Sequence, residues 1–283
     1  MKLAYFGTPE MAVPPLRALV AAGHEIALVV TRIDKRRGRG GELSPSPAKA
    51  AALQLGLPVS HIVDDVLGRD IELGVVVAFG QLIKPHVLAE VPMVNMHFSL
   101  LPRWRGAAPV ERALLAGDTE TGVCLMQLEE GLDTGPIYDT VRLPIASTVT
   151  ADDLRRVLVD AGTEQLVRCL SRPLPKPVPQ HGEPLYAAKI RPQELRIDWS
   201  QTVEQINRLV RLGGAWTTFR GKRLKVLGAT LDDKLSREDT AARSPERPLP
   251  GLRLITVQPE GKGAMPYADF ARGARPQNDE TFE

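Results

Sequence analysis

Several features common in proteins are scarce in this chain of 283 residues, and each scarcity excludes a class of protein. Its two cysteines, Cys124 and Cys169, form neither a metal-binding pattern nor a disulfide framework, so we interpret both as buried reduced thiols. Apolar runs such as 74–79 are far shorter than the roughly 20 residues of a membrane-spanning helix. No secretory apolar segment precedes the first turn at residues 7–9. We therefore expect a cytoplasmic protein without membrane attachment.

The chain also lacks the glycine fingerprint of dinucleotide-binding enzymes. The first apolar run, residues 2–6, ends at Gly7-Thr-Pro9, which supplies one glycine where G-x-G-x-x-G has three. A nicotinamide-dependent enzyme is therefore disfavoured. Metal-ligand spacing is missing as well, because His86, His97 and Asp133 include no pair at the short separation of a metal motif. We expect no metal.

Excess charge of one sign is small but unevenly distributed. The whole chain has 36 basic and 34 acidic side chains. Residues 1–190 carry 20 basic and 21 acidic groups, whereas residues 191–283 carry 16 and 13, and the excess is concentrated in 191–230. This gradient hints at an anionic partner. The hint is weak, because surfaces that bind nothing often carry a similar excess.

What is present predicts an α/β fold. Apolar runs with strand character lie at 2–6, 25–31, 73–79, 93–98, 122–128 and 137–144, and helical patterns lie at 10–22, 48–55, 107–116 and 150–170. The run 73–79 is continuously apolar, as a parallel strand buried on both faces requires. We predict a Rossmann-like, doubly wound, mostly parallel sheet with its ligand crevice at the carboxyl ends of the strands.

The composition changes at residues 172–180, where four prolines occupy seven positions. Such a segment is typical of a stiff, extended connector. We predict a catalytic domain at 1–171, a proline-rich linker at 172–195 and a small C-terminal domain at 196–283. Within the last, the patterns predict a helix at 203–212, a hairpin at 216–227, a polar loop at 232–250, a strand at 252–257 and a mobile tail over the last dozen residues.

Three polar residues could carry chemistry at the crevice. Asn95 and His97 alternate on one predicted strand, so they point to the same side, and Asp133 lies in a glycine-bracketed turn after another strand. An amide, an imidazole and a carboxylate can together catalyse acyl transfer without a covalent intermediate. Taken singly, each has an ordinary structural explanation as a turn former, a core histidine or a loop cap. A nucleophilic Ser99 is disfavoured because no G-x-S-x-G surrounds it.

Taken together, the motifs resemble those of the folate-dependent formyltransferase family. They are Asn95-x-His97-x-Ser99-Leu-Leu-Pro102, Arg103-Trp-Arg-Gly-Ala-Ala-Pro109, Gly117-Asp118, Thr121-Gly122 and Gly131-Leu-Asp-Thr-Gly135. Phe6-Gly-Thr-Pro9, Arg196-Ile-Asp-Trp199 and Gln258-Pro-Glu-Gly-Lys-Gly-Ala-Met265 are similar to the family in the same order. The resemblance covers nearly the whole chain and is most specific over 93–139.

The resemblance implies a fold, a reaction and a set of residues. The fold is a Rossmann-like catalytic domain followed by a small β-barrel, shortened here where 232–250 replaces strands that the family has. The reaction is transfer of the formyl group of 10-formyltetrahydrofolate to the amine of methionine on initiator methionyl-tRNA, by a protein expected to be a monomer. By this resemblance, the catalytic residues are Asn95, His97 and Asp133, and the folate-binding residues are Ser99, Leu100, Leu101, Pro102, Phe79, Gly80, Gln81 and Leu82.

The loop at 32–42 resembles a family insertion that reaches the acceptor stem of the tRNA. It carries Lys35, Arg36, Arg37 and Arg39, and its glycines predict a mobile loop that folds onto RNA, with Arg39 as the acceptor-end contact. A second basic group on the predicted C-terminal hairpin, Arg220, Lys222 and Arg223, could follow a phosphate backbone. Each basic run could equally be an ordinary solvated surface.

Two alternatives remain open from the sequence. A formyltransferase acting on an amino sugar or a glycinamide ribonucleotide would share the chemistry and differ in the acceptor. A non-catalytic RNA-binding module on a similar scaffold would need neither folate nor the three polar residues. The intact set of Asn95, His97 and Asp133 argues against the second alternative.

Overall fold

The computed structural model describes residues 1–37, 41–231, 251–276 and 280–282. The strands are β1 (Lys2–Gly7), β2 (Glu25–Val30), β3 (Lys35–Arg37), β4 (Glu42–Ser44), β5 (Val59–Ser60), β6 (Leu73–Val77), β7 (Met93–His97), β8 (Arg103–Gly106), β9 (Glu120–Gln127), β10 (Ile137–Pro144), β11 (Leu185–Ala187), β12 (Trp216–Phe219), β13 (Lys222–Leu231), β14 (Leu252–Pro259) and β15 (Met265–Pro266). The helices are α1 (Val13–Ala21), α2 (Pro47–Gln54), α3 (Pro85–Glu90), α4 (Pro109–Ala116), α5 (Ala151–Leu170), α6 (Val203–Arg211) and α7 (Tyr267–Ala274).

The chain divides into two compact units. The first comprises Met1–Pro109, Glu120–Pro144 and Arg155–Ala187, and the second comprises Val110–Thr119, Ile145–Leu154 and Ala188–Glu283. No helix among the described residues combines the length and the apolarity needed to cross a membrane.

A seven-stranded sheet with the order β10-β9-β7-β6-β1-β2-β5 forms the centre of the first unit. The strands β7, β6, β1, β2 and β5 are parallel to their neighbours. At the opposite edge, β9 pairs antiparallel with β7, and β10 pairs antiparallel with β9. Every residue of β6 is buried, as its continuous apolar run predicts. The predicted doubly wound, mostly parallel sheet is confirmed, and its carboxyl edge beside β6 and β7 is where such folds bind ligands.

Helix boundaries follow from local chemistry. Pro47 occupies the first turn of α2, and the Ser46 hydroxyl caps it by accepting a 3.0 Å hydrogen bond from the backbone of Lys49. Thr202 and Gln205 form a reciprocal capping box at the start of α6. Both caps satisfy backbone N–H groups that have no partner within their own helix.

Described residues of the second unit contain a four-stranded antiparallel sheet, β12-β13-β14-β15. Its inner face packs with α6 and α7 around a core that includes Trp199, Phe219 and Tyr267. The small C-terminal β domain is therefore present as an antiparallel sheet. The polar stretch 232–250 lies outside the described residues.

Two segments predicted to be irregular contain ordered structure among their described residues. Strand β3 pairs with β4 in an antiparallel hairpin, and residues 38–40 of the predicted mobile loop lie outside the described residues. Strands of three residues are too short to be recognised by periodicity. The described end of the expected mobile tail is packed: Phe282 is buried and stacks on Trp199 with the ring centroids 5.3 Å apart. An isolated aromatic side chain near a terminus carries no sequence pattern, so only tertiary packing reveals its place.

Candidate functional site

The three proposed catalytic side chains meet at the carboxyl edge of the first unit's sheet. Strand β7 carries Asn95 and His97 at alternate positions, and Asp133 lies in the loop that follows β9, the antiparallel neighbour of β7. Asn95 Nδ2 donates to Asp133 Oδ1 over 3.4 Å, and His97 Nδ1 lies 3.6 Å from Asp133 Oδ2. The structure thus brings together residues that are 38 positions apart in the sequence.

Asp133 is held in a demanding backbone conformation. Its φ is +51°, in the left-handed region that most residues other than glycine avoid. The loop turns tightly around it: a Cβ on Gly131 would collide with the Thr134 side chain, and one on Gly135 with the carbonyl oxygen of Gln127. The flanking glycines are therefore required by close approach. They allow the carboxylate to face the end of β7.

The Asp133 carboxylate is nearly buried and receives a strong backbone hydrogen bond. Gly106 N donates to Asp133 Oδ2 over 2.7 Å, and the residue is 9% exposed. A buried carboxylate is stabilised by hydrogen-bond donors that point at it. Asn95 and the Gly106 amide donate to this carboxylate, and His97 Nδ1 lies beside it, so it can orient the imidazole and supply negative charge next to it.

His97 contacts protein groups through both ring nitrogens. Its Nε2 lies 2.7 Å from the backbone carbonyl oxygen of Trp104, and because a carbonyl only accepts, Nε2 carries the hydrogen. The Ser99 hydroxyl also donates to the Trp104 carbonyl, and the Trp104 amide donates to the Ser99 oxygen, both over 3.0 Å. Ser99 is fully buried in these bonds. Its hydroxyl is occupied in shaping the loop.

The predicted folate-contacting segments follow adjacent parallel strands. Phe79, Gly80, Gln81 and Leu82 come after β6, and Ser99, Leu100, Leu101 and Pro102 come after β7, so both segments lie at one edge. Ala78, at the end of β6, has a φ of +48°. Leu82 is 78% exposed, whereas Ile83 beside it is buried. Apolar residues therefore lie at the same edge of the sheet as the three polar ones.

The predicted RNA-contacting residues fall into two groups on different units. Lys35 and Arg36 are exposed on β3, Arg37 ends that strand, and Arg39 lies outside the described residues. In the second unit, Lys222 and Arg223 are exposed at the start of β13. Arg223 stacks on the Trp216 ring, with its guanidinium carbon 4.2 Å from the ring centroid.

Arg220 is engaged within the protein. Two of its nitrogens bond the carboxylate of Glu280 over 2.5 and 2.6 Å, and a third donates to the Ala274 carbonyl. The Glu280 carboxylate raises the pKa of this guanidinium, which lies over the Phe219 ring. The charge of this exposed arginine is therefore paired with the Glu280 carboxylate.

Sequence reasoning missed two groups that shape the site. The backbone of Trp104 binds His97 and Ser99, and carbonyl groups leave no trace in side-chain patterns. Gln180, in the proline-rich segment interpreted as a linker, donates to the carbonyls of Asp133 and Gly135, both over 2.8 Å. The flanking segment pairs with the first unit, since β11 runs parallel to β8. No local signal marks Gln180.

The described residues contain no group of three histidine, cysteine, aspartate or glutamate side chains arranged to hold a metal ion. Cys124 and Cys169 are both buried as free thiols. Burial raises the pKa of both, that of Cys169 to about 11, so neither is an activated thiolate at neutral pH. Acyl transfer at this edge would rely on Asn95, His97 and Asp133.

Comparison with known proteins gives a consistent result. Residues 1–170 match the model of the family described as formyl transferase, and residues 189–275 match that of the formyl transferase C-terminal domain. The chain is 41% identical over 303 residues to the methionyl-tRNA formyltransferase of Roseobacter denitrificans, which covers 100% of this chain and 99% of that protein.

Two solved structures share the fold at low sequence identity. The methionyl-tRNA formyltransferase from Clostridium thermocellum has a TM-score of 0.61 at 15% identity, over 83% of this chain and 95% of that one. An N-formyltransferase from Helicobacter canadensis, in complex with folinic acid and dTDP-3-aminofucose, has a TM-score of 0.68 at 18% identity, over 92% and 99%. With both family models matched and a full-length relative at this identity, the chain belongs to the formyl transferase family.

Proposed function

We propose that this protein transfers the formyl group of 10-formyltetrahydrofolate to the free amine of methionine on initiator methionyl-tRNA, for the initiation of translation. The convergence of Asn95, His97 and Asp133 at the carboxyl edge of the sheet carries the proposal. Full-length similarity to a methionyl-tRNA formyltransferase supports the choice of acceptor. The protein acts in the cytoplasm as a monomer in this proposal, because translation initiation takes place there and one chain supplies all three groups.

The reaction is a direct attack of the uncharged amine on the formyl carbon. A C–N bond forms to methionine, the formyl oxygen becomes negative in a tetrahedral intermediate, and the bond from carbon to the folate nitrogen then breaks. Asn95 Nδ2 donates a hydrogen bond to the negative oxygen, an interaction that strengthens as charge develops. The amine loses a proton and the folate nitrogen gains one, so no net proton is consumed.

His97, oriented by Asp133, moves the proton from the attacking amine to the folate nitrogen. The carboxylate lies beside Nδ1 and orients the ring. The imidazole supplies a proton to the departing folate nitrogen and regains one from the attacking amine. His97 also assists Asn95 as a donor to the oxyanion, which requires Nε2 to exchange the Trp104 carbonyl for substrate. Catalytic hydrogen bonds often rearrange in this way when substrate binds.

The folate would lie on the apolar edge formed by residues 79–82 and 99–102. A planar heterocycle needs an apolar wall with backbone groups at its rim, and this edge offers exposed Leu82 and half-buried Leu100 and Leu101. At Gly80 no heavy atom lies within 4 Å of where a Cβ would be, so the backbone there is open to a ligand. These residues fit the folate co-substrate.

Basic side chains would bind the phosphates of the tRNA. Lys35, Arg36, Arg37 and Arg39 supply one group, and Lys222 and Arg223 supply another, with Arg220 contributing to the same surface while paired with Glu280. Phosphate contacts of this kind position RNA and weaken with added salt. The acceptor end would reach the catalytic edge beside Asn95.

One assay tests the proposal and its rivals together. Purified protein receives 10-formyltetrahydrofolate and, in parallel, initiator methionyl-tRNA, free methionine, dTDP-linked amino sugars and glycinamide ribonucleotide. We expect formylation of the tRNA-linked methionine at a kcat/KM far above that of the other acceptors. Preferred formylation of an amino sugar would instead favour an amino-sugar formyltransferase. The shared fold with the Helicobacter canadensis enzyme is the reason to include this acceptor. Absence of folate binding by titration would leave the RNA-binding alternative.

A further inference from the structure

One glutamine side chain joins the loop of Asp133 to strand β8, whose backbone contacts both His97 and Asp133. Gln180 Nε2 donates to the carbonyl oxygens of Asp133 and Gly135, both over 2.8 Å. Its Oε1 accepts from Arg105 Nε over 3.1 Å and from Arg105 Nη2 over 2.7 Å. Both the nitrogen and the oxygen of this half-buried amide are therefore hydrogen-bonded. It connects the loop of Asp133 with the segment that supplies the Trp104 carbonyl and the Gly106 amide.

Chemistry fixes the orientation of this amide. A guanidinium has only donors and a backbone carbonyl has only acceptors, so the oxygen of Gln180 faces Arg105 and the nitrogen faces the two carbonyls. A flipped amide would place its nitrogen against the guanidinium and its oxygen against two carbonyls. One flip of the amide satisfies all four contacts, so the side chain acts as a brace between the two segments.

The chain on both sides of Gln180 is also fixed. Val178 exchanges two backbone hydrogen bonds of 2.8 Å with Ile137. Further on, the Leu185 amide donates to the Pro102 carbonyl, and β11 pairs with β8. The position of the amide is thus set from two directions, by contacts that lie within the first unit.

The brace acts at the strained residue of the site. Asp133 has a φ of +51°, an unfavourable conformation for a residue other than glycine that persists only where surrounding contacts hold it. One of the two Gln180 bonds is made to the carbonyl of Asp133 itself. Loss of that bond would let the backbone relax and move the carboxylate away from His97 Nδ1, which lies 3.6 Å from Oδ2.

We propose that Gln180 is a positioning residue for catalysis, which holds Asp133 in the conformation that orients His97. This inference rests on the proposed function. The segment interpreted from its composition as a linker thereby forms part of the support of the active site. Gln180 needs no contact with either substrate, so its effect should fall on kcat and leave substrate binding nearly unchanged.

The test compares Gln180→Leu and Gln180→Glu with a neighbouring control, His181→Leu, at an exposed position. Leucine removes all four hydrogen bonds, whereas glutamate keeps the acceptors for Arg105 and removes the two donors. We expect either change to lower kcat by about 10- to 100-fold, as small displacements of reacting groups do. The KM values for folate and for methionyl-tRNA should stay within about 3-fold, and H181L should match the wild type.

A double-variant cycle separates positioning from general support of the fold. In an Asp133→Asn background, Gln180→Leu should lower kcat by less than about 3-fold further, because residues that act as a unit are not additive. An equal loss in both backgrounds would overturn the inference, as would an unchanged kcat in Q180L and Q180E. If Q180L fails to fold by circular dichroism, Q180E carries the same test. Wild-type activity in the same assay keeps this result distinct from failure of the proposed function.

Discussion

At the scale of single residues, the site depends on where one carboxylate is held. Asp133 combines a positive φ, a short bond from the Gly106 amide and proximity to His97 Nδ1. A neutral amide at this position keeps the size and shape of the side chain but removes the negative charge beside the imidazole. Catalysis should therefore respond to the charge at this position more than folding does.

We expect Asn95→Ala and Asp133→Asn each to lower kcat by about 100- to 1000-fold, the usual effect of removing an oxyanion donor or its support. Folate binding, measured by fluorescence titration, should persist because neither side chain belongs to the apolar edge. Asp70→Asn is a matched control for Asp133→Asn, since Asp70 also has a positive φ, of 55°, and is exposed. Turnover close to wild type in N95A or D133N would contradict the proposed mechanism.

At the scale of elements, the β3–β4 hairpin presents basic side chains from an anchored base. Asp34, just before β3, forms an ion pair with Lys49 of α2, whose Nζ lies 2.8 Å from both carboxylate oxygens. The Thr31 and Ser46 hydroxyls share a buried 2.7 Å hydrogen bond beneath them. The root of the hairpin is thus fixed to the first unit while Lys35 and Arg36 remain exposed.

Arg39→Ala should raise the KM for methionyl-tRNA and leave folate affinity unchanged. Loss of one phosphate contact should also reduce the slope of log affinity against log salt by about 1. Arg69→Ala is the matched control, because Arg69 lines a cleft with Lys2 at the amino end of β1, away from the catalytic edge. A tRNA KM in R39A equal to that of the wild type would remove Arg39 from the proposed interface.

The packed end of the chain is a second element with a measurable role. Phe282 stacks on Trp199 and meets the Phe219 ring edge-on at 5.7 Å, and Glu280 pairs with Arg220. These contacts extend the core of the second unit beyond α7. They also tie Arg220, one of the predicted RNA-binding residues, to the end of the chain.

Phe282→Ala should destabilise the second unit by about 3 kcal/mol, because it removes a buried aromatic ring from the core. Urea unfolding followed by tryptophan fluorescence measures the effect, since Trp199 lies against the lost ring. Thr281→Ala, at the exposed neighbouring position, should unfold like the wild type. Equal midpoints for F282A and T281A would show that the end of the chain contributes no packing energy.

At the scale of the whole molecule, Glu194 is a carboxylate whose titration should make stability depend on pH. Arg112 on α4 donates to Glu194 Oε2 over 2.9 Å and the Arg191 amide donates to Oε1, also over 2.9 Å. The guanidinium first, and then the backbone donor, lowers the pKa of Glu194 from its ordinary 4.5 to about 2. The folded state thus favours the charged carboxylate. Its contribution to stability is present above pH 4.5 and is lost as the pH falls toward 2.

Glu194→Gln should therefore lower the free energy of unfolding at pH 7, and the difference from the wild type should shrink between pH 4.5 and 2. Urea titrations at several pH values, read by tryptophan fluorescence, measure this difference. Glu183→Gln, at an exposed position, is the control and should follow the wild type at every pH. A constant gap between E194Q and the wild type across this range would show that the carboxylate does not titrate with folding.

The sequence by itself determined the parallel sheet, most helix boundaries and the identity of Asn95, His97 and Asp133 as candidates. Those features are local: continuous apolar runs specify buried strands, capping residues specify helix ends, and the motifs are contiguous. Tertiary structure alone decided which groups surround these residues. The Trp104 carbonyl accepts from His97, and the Gln180 side chain donates to the carbonyl of Asp133, 47 positions earlier in the chain. Phe282 packs on Trp199 in the core of the second unit. Such contacts depend on distance in space, and no periodicity along the chain records them.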